Sequence, residues 1–301
     1  MLDDLIDRYQ FAWQTVRDCL RVIRRRKLLL LFPLLSAAAC LLFLTGLFQL
    51  LQSTPNRNWQ VLYKFSSFIN PPNITSLWAT AAIIALAYCS LNLLILYFNT
   101  AFVHCCINHM RGTAISPLRG LVAAFRCIPN LLLWSLFSGT LGFLLRPAEW
   151  LLHRDEEYGR FLVPRISSVI WTMATYFVIP VLVNERLRLI PTLRRSASLV
   201  SKTWGKRVIG YVGVGFFMLP FWLLSFVLIG FSLSTETSVA DSQLTLPAIA
   251  VLSLLCTGLL NSTLDCILQS ALYVFATERF VANGWRSGRL QHAFYSAEFA
   301  D

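Results

Sequence analysis

The sequence predicts an all-α fold, a polytopic membrane helical bundle of six transmembrane helices plus short amphipathic helices at the cytoplasmic interface. Three observations predict it. Hydrophobic residues make up 56% of the 301 residues and charged residues only 14%, with a mean hydropathy of +0.60, a balance that water-soluble domains rarely reach. Six stretches run for at least 19 residues without Asp, Glu, Lys or Arg, and roughly 20 helical residues cross a hydrocarbon core of about 30 Å. Finally, the Lys and Arg residues alternate between segments, as the positive-inside rule requires of an even number of spans.

The charge-free stretches place spans near residues 28–51, 78–103, 128–145, 166–184, 208–232 and 246–275. Segments 1–27, 107–128, 184–207 and 276–301 hold seven, three, seven and three basic residues, whereas the intervening loops hold two, four and none. The richer side is therefore the expected cytoplasmic one, with both termini on it and the protein in the inner (plasma) membrane. The net charge of +11 follows membrane topology in this reading, so no nucleic-acid partner is expected. The weakest crossing is the 128–184 hairpin, because its outer loop carries Arg146, Arg154, Arg160 and Arg165. No cleavable signal is expected, since the first apolar run follows 27 charged-rich residues and is too long for a signal core. Eight cysteines fall in predicted spans or cytoplasmic segments, so structural disulfides are not expected.

Residues 1–27 form the first unit, a cytoplasmic amphipathic helix. Leu5, Tyr9, Ala12, Trp13, Val16, Leu20 and Ile23 recur at helical spacing, and the apolar face either lies on lipid or packs on the bundle. Asp3, Asp4 and Asp7 near its start and Arg24, Arg25, Arg26 and Lys27 at its end suit the helix dipole. Similar short helices precede the third and fifth spans. Ser116-Pro117 introduces Leu118, Leu121, Val122 and Phe125, and Pro191 introduces Leu193, Ala197, Val200 and Trp204. The chain thus reads as three units of amphipathic helix, span, outer loop and span, and Tyr97, Tyr176 and Tyr273 align in the second span of each. Residues 28–275 make up the transmembrane domain and 276–301 a cytoplasmic tail. Within the third span, Ser135 with Gly139 and Ser138 with Gly142 form small-residue pairs that allow close helix approach.

The segments LRVIRRRKLLLLFPLLS (20–36), YFNTAFV (97–103), WTMATYFVIPVLVNE (171–185), LRRSASLVSKTWG (193–205) and LQSALYVFAT (268–277) carry a family resemblance. Together they resemble an uncharacterised family of bacterial and archaeal six-helix membrane proteins. The Arg-Arg-Ser to Trp-Gly helix is more distantly similar to the membrane domain of some glycerophosphodiester phosphodiesterases. The resemblance implies topology and brings no catalytic residue, and the chain lacks the length for an attached catalytic barrel of about 250 residues.

Three candidate sites follow from the residues. Asn261, Asp265 and Gln269 form an i, i+4, i+8 polar stripe in the last span, where a carboxylate suggests a relay or transport path, while amides also serve as interhelical glue. His104, Cys105 and His109 are weak metal candidates, because Cys105 and His109 share a face but the spacing matches no zinc pattern. Arg24, Arg25, Arg26, Arg194, Arg195 and Lys202 are candidate contacts for anionic lipid headgroups or a partner. No phosphate loop, HExxH pair or serine elbow occurs. The leading expectation is a non-enzymatic membrane protein without cofactor that acts through membrane lipids, a membrane-protein partner or a second copy. A small permease or lipid transporter using the polar stripe is the alternative, and a membrane metalloenzyme the third reading.

Overall fold

The computed structural model describes residues 2–53, 74–113, 116–138, 175–203, 214–234 and 245–278, and every element among them is helical. Helix α1 (Leu2–Arg25) leads through a 3-10 turn (Lys27–Leu30) into α2 (Leu31–Ser53). There follow α3 (Ile74–Met110), α4 (Pro117–Arg126) and α5 (Ile128–Ser138), then α6 (Val178–Glu185), α7 (Leu189–Thr203), α8 (Val214–Ser234) and α9 (Thr245–Glu278).

Among the described residues three helices are long and apolar enough to cross a membrane, or four if the bent pair α4–α5 is one span. Six were expected. The first, second and sixth expected spans coincide with those three helices, and α8 falls on the fifth, although its apolar stretch Phe217–Ser232 is short. Only 128–138 of the third and 175–184 of the fourth lie within the described residues, as do neither the 146–165 loop nor the tail beyond Glu278.

Two zones divide the molecule. In the first, large apolar side chains point outward: Leu41 and Leu42 on α2, Leu86 on α3, Leu132 and Leu133 on α5, Leu223 and Phe226 on α8, Leu252 and Leu255 on α9. Further along α3 and α9 this pattern stops. Leu96, Thr100 to Val103, Cys105 to Ile107 and Met110 are buried on α3, and Thr263, Leu264, Cys266 to Leu268 and Ser270 to Phe275 on α9. Here α3 and α9 pack on each other, α4 and α6 cover α3, and α1, α6 and α7 cover α9.

Local chemistry fixes the ends of these helices. Gly112, at φ 78°, closes α3, with its N–H bonded to the His109 carbonyl and the Thr113 N–H to the Asn108 carbonyl, the two bonds of a Schellman stop. Between α4 and α5 the chain bends by 67° at Cys127, whose thiol donates to the Leu182 carbonyl of α6 at 3.8 Å. The predicted close approach at Ser135 is present, since its hydroxyl donates to the Cys89 carbonyl of α3 at 3.1 Å, while Gly139 and Gly142 lie outside the described residues.

Helix α1 settles its own alternatives by packing on α8 and α9. Its buried face is Ala12, Thr15, Val16, Asp18, Cys19 and Val22, rotated by about a quarter-turn from the predicted stripe at 3.6 residues per turn. The aromatic part of that stripe is used elsewhere. Tyr9 and Trp13 remain exposed on one side and reach over Phe217 of α8, with ring centroids 5.9 and 5.3 Å away.

Among the described glycines, the closest approach of a neighbouring helix is at Gly120 of α4. A Cβ there would stand 2.5 Å from Cys105 Sγ, 2.9 Å from the Ala101 carbonyl oxygen and 3.3 Å from Phe32 Cζ, whereas one at Gly46 would meet nothing within 4 Å. Because a backbone oxygen cannot swing aside, Gly120→Ala is expected to cost about 1–3 kcal/mol, as overpacked cores do. Its apparent melting temperature in detergent should fall below wild type, while Gly46→Ala should match or exceed wild type through helix propensity. Equal behaviour of the two variants would refute the close α3–α4 contact.

Candidate functional site

The polar stripe on α9 is divided by its surroundings. Asn261 Nδ2 donates to Asp265 Oδ2 at 3.0 Å, one turn apart, and the remaining Asn261 oxygen is buried without a hydrogen-bond partner. Asp265 is half-buried and sits where the outward apolar side chains of α9 give way to the packed zone. Helix α1 faces this point, where Cys19 Sγ donates to the Leu264 carbonyl at 3.9 Å, next to the ion pair between buried Asp18 and Arg21 at 2.9 Å. Burial, followed by the negative charges of Asp18 and Asp265, pushes the Cys19 thiol well above its ordinary range, so it stays protonated and keeps its donor. Nothing in the sequence pattern flagged Asp18, because a charge on an amphipathic helix ordinarily marks the solvent face.

Gln269 has a different task. Its Nε2 donates to the carbonyl of Tyr176, just before α6. The reason lies four residues on, where Pro180 has no N–H to give that carbonyl, so a helical bond is missing. On the same turn the Phe177 N–H donates to Ser196 Oγ of α7 at 3.0 Å. Side chains of α9 and α7 thus complete a broken helix start.

His104, Cys105 and His109 are not brought together. Among the described residues no group of three His, Cys, Asp or Glu side chains is placed to hold a metal ion. Cys105 instead packs at Gly120 and its thiol faces the Ser116 carbonyl at 3.7 Å. His104 Nε2 lies 3.0 Å from Asn108 Nδ2, one turn away on the same helix.

The basic candidates share one end of the molecule with residues the sequence did not single out. Arg111, after α3, pairs with Glu278 at the end of α9 at 2.5 Å. Glu185, ending α6, accepts from Arg195 of α7 at 3.2 Å and from the Tyr273 hydroxyl at 3.2 Å. Arg25 and Arg26 lie within electrostatic reach of His109 near the end of α3. The C-terminal ends of α1, α3, α6 and α9 therefore occupy one layer, with basic side chains where helix carbonyl ends are negative. Arg24, Arg25, Arg26 and Arg194 are exposed, Arg195 is engaged with Glu185, and Lys202 falls on α7 with its side chain outside those described. The signal that could have found Glu185 and Glu278 is their position, each ending a charge-free stretch opposite an arginine-rich segment.

A family model matches residues 78–283, that of a family of unknown function, DUF6159. No curated protein and no solved structure matches the chain, so the distant likeness to glycerophosphodiester phosphodiesterases gains no support.

If Gln269 replaces the hydrogen bond that Pro180 cannot make, Gln269→Leu should cost about 1–3 kcal/mol, the penalty of an unpaired buried acceptor. Pro180→Ala supplies an N–H to the same carbonyl, so the loss on Gln269→Leu should shrink in that background. A double-mutant cycle of melting temperatures in detergent checks this, and strictly additive losses would mean that the two residues do not serve one carbonyl.

Proposed function

The chain belongs to that family of unknown function, and we propose that it is a non-enzymatic, multi-pass membrane protein that holds lipid or protein partners at its basic end. The observation that carries this reading is the outward apolar surface of the first zone, which continues over α2, α3, α5, α8 and α9. Soluble proteins rarely expose apolar patches beyond a few hundred Å². The apolar zone is the bilayer-spanning part, six spans in all, and the basic layer faces the cytoplasm of an inner membrane, as positive-inside bias favours. Arginines just inside a bilayer surface attract anionic headgroups, at about 1 kcal/mol for each nearby side chain. Contact is favoured over transport because Gln269 is committed to Tyr176 and Asn261 to Asp265. No cofactor enters this function.

The test is mass spectrometry of the lipids and proteins retained by the chain extracted into native nanodiscs. Anionic lipid should be enriched several-fold over its bulk share in wild type and in Asp265→Asn. The enrichment should fall markedly when Arg24, Arg25, Arg26 and Arg194 are changed to Gln. Unchanged retention in that variant would refute the contact reading, and loss of a bound solute in Asp265→Asn alone would favour transport.

A further inference from the structure

Helix α4 differs from the other two amphipathic helices in what it turns away from the protein. Along α4, Gly120 and Ala124 are buried on the side that meets α3, and Cys127 just past its end is buried with its thiol on α6. At about 100° per residue, Leu118, Val122 and Phe125 fall on the opposite side. They are 73%, 51% and 65% exposed. Arg119 and Arg126 share a third face about a quarter-turn from this apolar one, and both are exposed. Helices α1 and α7 turn Arg17, Arg24 and Arg25, or Arg194 and Arg195, outward, with Tyr9 and Trp13 near the start of α1 and Ile190 at the start of α7 the large apolar side chains they expose.

We propose that α4 is an in-plane anchor lying in the headgroup layer of an anionic bilayer. Leu118, Val122 and Phe125 enter the acyl boundary, and Arg119 and Arg126 bind headgroup phosphates. Two observations select a lipid surface as the occupant. Beyond the 67° bend, Leu132, Leu133 and Leu136 are likewise exposed on α5, so both helices turn large apolar side chains outward. The bend also turns α4 well away from the direction of α5, which suits a helix lying along the surface where its neighbour enters the bilayer. The pairing of an apolar strip with flanking arginines is complementary to an anionic interface, where amphipathic helices combine apolar burial with electrostatic attraction. This placement rests on the bilayer-spanning reading and adds to it a headgroup contact on α4, beside those of the exposed arginines of α1 and α7.

Photo-crosslinking of the full chain tests it. Benzoyl-phenylalanine is introduced at Val122, or separately at Leu132, in vesicles of phosphatidylcholine with and without phosphatidylglycerol. Both positions are exposed, so folding is retained. Lipid adducts at both positions are expected, with phosphatidylglycerol several-fold over-represented at 122. In Arg119→Gln/Arg126→Gln that excess should fall to the vesicle composition. Lipid adducts at 132 but protein adducts or none at 122 would overturn the anchor and leave the spanning reading intact, and protein adducts would identify the strip as a docking face. An absence of lipid adducts at 132 would overturn the spanning reading, and the anchor with it. An unchanged phosphatidylglycerol share in the double variant would overturn the role of the two arginines.

Discussion

The rest of the structure depends on the packing of α3 against α9. With 37 and 34 residues these helices are about 55 and 51 Å long at 1.5 Å per residue, well beyond a hydrocarbon core of about 30 Å. Their C-terminal portions must therefore be covered by protein. Small side chains make that cover possible: Ala101, Cys106, Cys266, Ser270 and Ala271 on the central pair are almost wholly buried, and Cys19 and Gly120 present little bulk from the covering helices. The Arg111–Glu278 pair then joins the two ends, although its half-exposed setting makes it a register mark more than a source of stability.

Several polar groups inside so apolar a core are satisfied within their own turn. The hydroxyls of Thr100, Ser225, Thr263 and Ser270 donate to the carbonyls of Leu96, Phe221, Leu259 and Cys266, each four residues back. Such bonds need no partner helix, which leaves the interfaces to shape. Other polar side chains bond across helices, as Ser135 does to the Cys89 carbonyl, and some of these complete breaks in backbone bonding. The start of α6 draws on Gln269 and Ser196, and the Leu187 carbonyl just past its end receives Asn130 Nδ2 at 3.3 Å.

Charge-free length made the helices legible: α2, α8 and α9 fall where the uncharged runs were. Helix α3 continues seven residues past its expected end because His104, Asn108 and His109 look like a polar boundary in sequence yet lie half-buried among neighbouring helices. The stripe at 261, 265 and 269 was legible as a face, but not its division of labour. That depends on Pro180, 89 positions before Gln269 in the sequence, and on a fold that brings α6 to α9. For α1 the apolar pattern was too broad to fix rotation. Tyr9 and Trp13 found aromatic neighbours on α8, which freed the turn carrying Asp18 and Cys19 to face α9.

The three-unit order acquires a spatial meaning in the packing. Helix α4 rests on α3 of the unit before it, α7 on α6 of the unit before it, and α1, of the first unit described, rests on α8 and α9 of the third. The first amphipathic helix thus closes what the other two continue. All three face inward with small residues: Ala12, Thr15 and Cys19 on α1, Gly120 and Ala124 on α4, Thr192 and Ser196 on α7. What distinguishes the three is therefore their outer faces. On α1 and α7 arginines stand among the exposed side chains, with Tyr9 and Trp13 on α1 and Ile190 on α7, and on α4 Leu118, Val122 and Phe125 form an outward apolar strip that no other described residue buries.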